Sequence, residues 1–359
     1  MILVTGGTGL VGSHLLYDLL RSGKTVRALK RKQSNIANVE KVFSYYTSAS
    51  KELAKRIEWV DAELTDIYSL LNVLDGVEYI YHCAAMVSFE AKHQAEMMLS
   101  NMEGTTNLVN AALTKNIKKF CYVSSIATLG RDEHASLITE NMFWKTSPEN
   151  SNYAVSKYGA EREVWRAAEE GLNVVIVNPS LIIGAGNWQQ SSSNMFSKAY
   201  KGIRFYTDGM SGFIDVRDVS ALMIKLMESE ISNQRFILNA ENASFRRYFD
   251  LIHDAFGKPR STIKAGKFLS GFAWRVEQLR YFLTGSRPLI TKETARSAHR
   301  VSRFSNSKIL TVFPDYQFIS LEQAVKATAK LYLNDLQPAY LTTAAIAEVG
   351  SSLPHSHSH

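Results

Sequence analysis

Apolar positions follow two alternating rhythms along the first half of this chain. Residues 1–5 are a short apolar run, Met-Ile-Leu-Val-Thr, that leads into a glycine cluster. Residues 10–22 then repeat leucine at helical spacing (Leu15, Leu16, Leu19, Leu20) and stop at Gly23. A second strand pattern follows at 25–30, and the polar stretch 32–56 is expected to form a helix with a surface insertion. Strand-like runs recur at 57–60, 77–82, 120–124 and 174–178, with helix-like stretches at 67–74, 96–116 and 152–170 between them. Strands that alternate with helices predict βαβ units, and so an α/β fold with a doubly wound parallel sheet covered on both faces.

Beyond Pro179 the rhythm becomes irregular. Residues 181–194 are rich in Gly, Ser and Asn and read as a loop. Helices are expected at 220–228, 245–256, 268–283 (rich in aromatics) and 321–333, and a strand at 235–239. This predicts a first domain over 1–178 and a smaller, mostly helical and discontinuous lobe over 179–333, with 213–229 returning to the first domain. Residues 334–359 are small and polar, with His355, His357 and His359 alternating, and are expected to be a flexible or appended tail. No sequence repeat is visible.

Composition narrows the function classes. The chain has 359 residues, 45% hydrophobic and 21% charged, which is ordinary globular composition. No apolar run reaches the length of a membrane span, and no secretory leader pattern is seen, so a cytoplasmic protein without a membrane partner is expected. Cys83 and Cys121 sit in apolar strand contexts and are expected to be buried, reduced thiols. The formal charge is +7. The basic residues read as scattered, with no interleaved aromatic platform, so no nucleic-acid partner is expected. A mildly positive surface suits an anionic small molecule equally well.

The first strand runs into Thr5-Gly6-Gly7-Thr8-Gly9-Leu10-Val11-Gly12. Glycines at 6, 9 and 12 permit a tight turn and a close backbone approach to a pyrophosphate. The helix that begins at Leu10 and Val11 offers unpaired N–H groups to it. Placed between a strand and a helix, the triplet predicts a Rossmann-type dinucleotide site. The second strand ends in Lys30-Arg31 rather than a carboxylate. Two cations there suit a 2′-phosphate, which favours NADP(H) over NAD(H). No metal site is expected.

Tyr153 and Lys157 are four residues apart and share a helical face. A nearby ammonium is expected to draw the phenol pKa down toward the working range. Ser124 and Ser125 close a strand pattern, at the sheet edge where open α/β folds bind ligands.

Together the motifs TGGTGLVG, His82-Cys83-Ala84-Ala85, Asn101-Met102-Glu103-Gly104-Thr105, Ser124–Thr128, Tyr153–Lys157 and Asn178-Pro179-Ser180 resemble the extended short-chain dehydrogenase/reductase family. The likeness extends through 213–219 and 306–308 to about residue 330, and it is greatest for the dihydroflavonol reductase-like branch. The resemblance implies that Ser125 polarises a carbonyl, Tyr153 is the acid/base and Lys157 its partner. It implies cofactor contacts from Gly6, Gly9, Leu10, Val11, Gly12, Lys30, Arg31, Leu64, Ala84, Ala85, Ser124, Tyr153, Lys157, Asn178, Pro179 and Ser180. Glu63 stands where the family often has Asp, and is expected to accept from the adenine amine. Asn101 matches a structural helix position, and His82 is expected to face the cofactor loop.

Val87, Phe89, Trp144, Trp188, Phe205 and Met210 lie in segments expected to border the substrate, which suits a planar hydrophobic molecule. Three functions follow from these residues. The first is NADPH-dependent reduction of a carbonyl, or oxidation of an alcohol, on a hydrophobic small molecule. The second is nucleotide-sugar epimerisation or dehydration, with Arg204 or Arg217 as the diphosphate cation. The third is a non-catalytic cofactor binder. A small-molecule partner and a monomeric or homodimeric chain are expected.

Overall fold

Most apolar runs of the first half become strands with both faces covered, which is why they read as nearly continuous hydrophobic stretches rather than alternating ones. In this computed structural model, residues 1–130, 136–284 and 291–350 are described, with side chains through 336 apart from residue 91. The strands are β1 (Ile2–Thr5), β2 (Val26–Lys30), β3 (Glu58–Asp61), β4 (Tyr79–His82), β5 (Lys119–Val123), β6 (Val174–Pro179), β7 (Leu181–Ile183), β8 (Phe205–Tyr206), β9 (Met210–Asp215), β10 (Gln234–Leu238), β11 (Glu241–Ser244) and β12 (Ile263–Lys264). Seven form one sheet in the order β10-β6-β5-β4-β1-β2-β3. All six pairings in it are parallel. The order reverses between β1 and β4, the place where doubly wound sheets leave a crevice at their carboxyl ends.

Alternation along the strands sorts the core into two layers. Val4, Ala28, Tyr81, Cys121 and Val175 meet helices Leu10–Arg21 and Val216–Glu228 on one face. Leu3, Leu29, Ile80, Phe120 and Ile176 meet helices Ile67–Val73, Gly104–Leu113 and Asn152–Glu169 on the other. A third core, built on Phe196, Phe213, Tyr248 and Val325, belongs to the lobe.

The structure differs from the sequence expectation in four places. Leu181–Ile183, expected in a loop, forms β7 and pairs with β9; its Leu-Ile-Ile is a strand sequence too short to stand out before the Gly and Ser that follow. The expected helix 96–116 is Gln94–Met98 and Gly104–Leu113, joined by a π-helical turn at Leu99–Glu103 that swings Asn101 inward. Residues 32–56 hold two short helices, Ala37–Ser44 and Ser50–Ala54. The last helix, Leu321–Gly350, continues past 333, and Asp335 is tied down by Tyr45, Trp188 and Lys41. The alternating histidines lie outside the described residues.

Candidate active site

The glycine turn has the geometry that a pyrophosphate cradle needs. Gly6 has φ +69°, and a Cβ there would come 2.6 Å from the Ala84 nitrogen. A Cβ on Gly12 would come 2.2 Å from the Gly6 carbonyl. Only glycine lets these three segments close on one another. Helix Leu10–Arg21 starts from Gly9 with no side-chain cap, so its first N–H groups are left for a ligand. This capless, glycine-lined helix start at the switch point fits a dinucleotide. When bound, a nicotinamide dinucleotide supplies or accepts a hydride.

Ser125, Tyr153 and Lys157 meet at the carboxyl edge of the sheet. Ser125 follows β5 and caps the short turn Ile126–Thr128, accepting from Ala127 N at 3.1 Å. Ser151 caps helix Asn152–Glu169, which sets Tyr153 and Lys157 in its first two turns. Tyr153 and Ser125 line the same cleft, and the Tyr153 ring meets Phe89 edge-on, with ring centroids 5.9 Å apart. Lys157 is fully buried, donates to the Val123 carbonyl at 2.7 Å and lies 4.3 Å over the Tyr122 ring.

The charge states differ from expectation. Burial pushes the Tyr153 pKa up, and the Ser125 side chain opposes it. Burial pushes Lys157 down to about 7, with Glu161 and Cys83 opposing. So the phenol is not activated toward phenolate by a firmly charged neighbour; in this state it keeps its proton.

Sequence reasoning missed what lies beneath. Glu161, one turn beyond Lys157, is buried. Its Oε2 accepts from Ser124 Oγ (2.5 Å), Thr128 Oγ1 (2.7 Å) and Asn178 Nδ2 (3.0 Å), and its Oε1 pairs with Arg235 at 3.0 Å. Asn178 Nδ2 also reaches the Ser125 carbonyl at 3.1 Å. This network fixes the strand ends that carry both serines. The period-four series Tyr153, Lys157, Glu161 was its one visible signal; Arg235 is too far along the chain to be linked by pattern. Asn101 Oδ1 accepts from Met86 N (2.7 Å), while its Nδ2 donates to Met86 O and Ser156 Oγ. It therefore anchors the loop that leads to Val87 and Phe89. His82 does not face the cofactor loop. It is buried between Thr5 (2.7 Å) and Thr105 (2.9 Å), and burial pushes its pKa down to about 3.

One cleft of about 1640 Å³ gathers Gly6, Gly9, Leu10, Val11, Gly12, Ala85, Ser124, Ser125, Tyr153, Lys157, Pro179 and Ser180, together with Val87, Phe89 and Trp144. Ala84 sits behind Gly6, and Asn178 is buried under Ser125. Lys30, Arg31, Glu63 and Leu64 lie outside the cleft lining; Lys30 is paired with Asp61 at 2.5 Å, while Arg31 and Glu63 are exposed. Leu64 is half-buried and accepts from Asn107. Trp188 packs inside the lobe against Tyr332 and donates to Asp335 at 2.8 Å. Phe205, in the β8–β12 ladder, and Met210, bonded to the backbone at 300–302, do not line the cleft. Arg217 is clamped by Asp215 and Arg204 is exposed. The cleft instead receives Arg296, Arg300 and Arg303 from the far end of the chain, which no local pattern signalled. Cys83 and Cys121 are free thiols, and burial raises both pKa values.

A Rossmann-type sheet with a phosphate-binding turn and a Ser/Tyr/Lys set at its carboxyl edge defines an NAD(P)-dependent oxidoreductase of the short-chain dehydrogenase/reductase type. A profile of the NAD-dependent epimerase/dehydratase family matches residues 2–239, and the chain belongs to that family. It is 30% identical over 284 residues to a putative dihydroflavonol 4-reductase of Synechocystis, covering 77% of this chain and 78% of that one. It is 31% identical over 271 residues to tetraketide alpha-pyrone reductase 2 of Arabidopsis thaliana (71% and 82% covered) and 29% identical over 262 residues to sterol demethylase protein B of Methylococcus capsulatus (72% and 75%). Among solved structures, gox2253 matches with a TM-score of 0.77 at 27% identity, over 93% of this chain and 98% of that one. A UDP-glucose 4-epimerase of Thermotoga maritima shares the fold, with a TM-score of 0.72 at 18% identity over 93% and 99%.

Proposed function

We propose that this protein reduces a carbonyl on a hydrophobic small molecule, with NADPH as hydride source. The observation that carries the reading is the Ser125–Tyr153 pair opening onto a cleft walled by Val87, Phe89 and Trp144. A reductase needs a proton donor for the oxygen that gains charge, and a phenol held protonated by burial is in the right state to donate. Tyr153 gives its proton to that oxygen and Ser125 hydrogen-bonds it, while Lys157 supports Tyr153 and the cofactor ribose. Gly6, Gly9 and Gly12 cradle the pyrophosphate. Arg31, exposed at the end of β2, meets the 2′-phosphate, which makes NADPH the preferred cofactor. The reductase names of relatives that cover most of their own length support the same reaction class.

A second reading, nucleotide-sugar epimerisation, is favoured by one observation: Arg296, Arg300 and Arg303 in the cleft lining offer cations to a diphosphate. A substrate panel separates the two. We expect NADPH to be consumed in step with reduction of aromatic or polycyclic ketones. Turnover of UDP-sugars with no net change in cofactor would replace the reductase reading with the epimerase one.

A further inference from the structure

Helix Lys267–Thr284 has no buried residue. Its two sides are nevertheless different. Ser270 is bonded to His299 (2.8 Å), and Tyr281 lies under Lys92, whose ammonium is 5.2 Å from the ring centroid. These contacts, with packing on helix Lys292–Ser297, hold one side of the helix to both rims of the cleft, since 291–297 and 87–90 belong to its lining. The other side carries Phe268, Leu269, Phe272, Val276, Leu279, Phe282 and Leu283, all exposed, with Phe268 at 92% and Phe282 at 83%. At 3.6 residues per turn these seven fall within an arc of about 140°, which they share with one charged residue, Arg275, near its edge. Single exposed apolar residues are ordinary; a contiguous row along a whole helix marks a surface that another phase covers.

The charge around that helix is equally uneven. Residues 258–303 hold eleven of the chain's 41 Lys and Arg and only two of its 34 Asp and Glu, Glu277 and Glu293. Their net charge is +9, against +7 for the whole chain, so the remainder is slightly acidic. Most of the basic residues lie elsewhere, but they are matched there by acids; the excess of cation over anion is confined to this segment.

We propose that helix Lys267–Thr284 docks in the plane of an anionic lipid bilayer, its apolar row sunk among the acyl chains and the flanking cations at the headgroups. The face is a convex ridge, which a deformable acyl layer accepts without a matching groove. Arg260, Lys264 and Arg300 pair with Asp254, Asp208 and Glu149 from outside the segment, yet it stays cationic, so docking on a second copy of the chain would set like charge against like, whereas anionic lipid neutralises it. The helix lies along the surface and does not cross it, for no helix among the described residues is long and apolar enough to span a membrane. The cleft rims touch this helix, so the cleft opens beside the bilayer. A lipid-dissolved substrate could then reach Tyr153 without passing through water, a consequence that rests on the reductase reading.

Vesicle co-sedimentation of the full chain tests the docking without substrate or turnover, so its failure leaves the reductase reading standing. The parent is expected to bind vesicles of phosphatidylcholine mixed with phosphatidylglycerol, and to bind phosphatidylcholine alone far more weakly. Phe272→Ser with Leu279→Ser, or Leu279→Ser alone if the double variant melts early, is expected to lose binding by about tenfold or more with NADPH affinity unchanged. The proposal is overturned if the parent stays in the supernatant, if it binds both vesicle types equally, or if the variants bind like the parent. It is equally overturned if sedimentation velocity shows the parent to be an oligomer that these substitutions dissociate, because a second copy then covers the face.

Discussion

Tyr153 shows how far a single residue can be understood from sequence and where the reading stops. The four-residue spacing to Lys157 correctly put both side chains on one helical face, and both line the cleft. Their ionisation depends on burial, which spacing does not encode: Lys157 is pushed down to about 7, and the Tyr153 phenol is pushed up. The phenol therefore holds its proton, the state that the proposed reduction requires. Tyr153→Phe keeps the ring and its contact with Phe89 but removes the proton, so turnover should fall by about 10²–10⁴-fold while NADPH affinity stays nearly unchanged. Ser125→Ala should be milder, because the Tyr153 donor remains. Steady-state reduction kinetics beside a fluorescence titration of NADPH checks both; parental turnover in Tyr153→Phe would remove the phenol from the mechanism. His82, expected from sequence to face the cofactor loop, is locked between two threonines and neutral near pH 7.

Elements were legible wherever their apolar rhythm was long. The strands from β1 to β6 and the long helices Leu10–Arg21 and Asn152–Glu169 follow directly from period and punctuation, because both faces of a parallel sheet must be covered. What failed was short or interrupted. β7 is three residues, and the π-helical turn at Leu99–Glu103 widens the helix locally and shifts its period without a Gly or Pro inside it to mark the place. The glycine turn was legible because it is local to one strand–helix junction; Ser125 and the Tyr153/Lys157 pair were legible as two separate local patterns, the end of β5 and the start of helix Asn152–Glu169. The network around Glu161 joins helix Asn152–Glu169 to Arg235 across 74 residues, and only the folded sheet brings them together. The end of β2 also gains detail from its neighbour strand. Lys30 and Arg31 look equivalent in sequence, but the β2–β3 register sets Asp61 opposite Lys30, and the two are paired at 2.5 Å. Arg31 is exposed, and in the proposed NADPH reading it is the residue that meets the 2′-phosphate. Arg31→Ala should weaken NADPH by roughly ten- to a hundredfold, the loss of about 1.5–3 kcal/mol for a charge-assisted contact, and leave NADH almost unaffected. Lys30→Ala should do less. Calorimetric titration with both cofactors decides it, and equal losses for NADPH and NADH would make Arg31 a surface charge only.

Across the whole molecule, two buried histidines tie distant parts of the chain together and make its stability depend on acid. His82 links β1, β4 and helix Gly104–Leu113 through Thr5 and Thr105. His14 links helix Leu10–Arg21 to Tyr46 and, at 2.8 Å, to the carbonyl of Ala185 in the lobe. Burial pushes His14 down to about 4 and His82 to about 3. An unfolded imidazole takes up its proton near 6.5, whereas these two in the folded chain do not until far lower pH. Between about pH 6.5 and 4 the unfolded state therefore binds more protons, and each histidine withdraws about 1.4 kcal/mol of stability per pH unit as pH falls. Asp218 acts in the opposite sense. Burial pushes its carboxyl up to about 6, although Tyr316 OH and Ile319 N donate to it. The folded state thus holds that proton at pH 5 and the unfolded state does not, which offsets one histidine. Asp18 and Glu293 are raised as well, so the parent's total uptake combines several groups, and differences between variants are the cleaner quantity. At pH 5, His82→Gln should reduce the protons taken up on unfolding by about one, and Asp218→Asn should increase them by about one. Scanning calorimetry in buffers of different ionisation enthalpy measures that number directly. An unchanged uptake in His82→Gln would mean that the imidazole is already charged in the folded protein, and that burial does not keep it neutral.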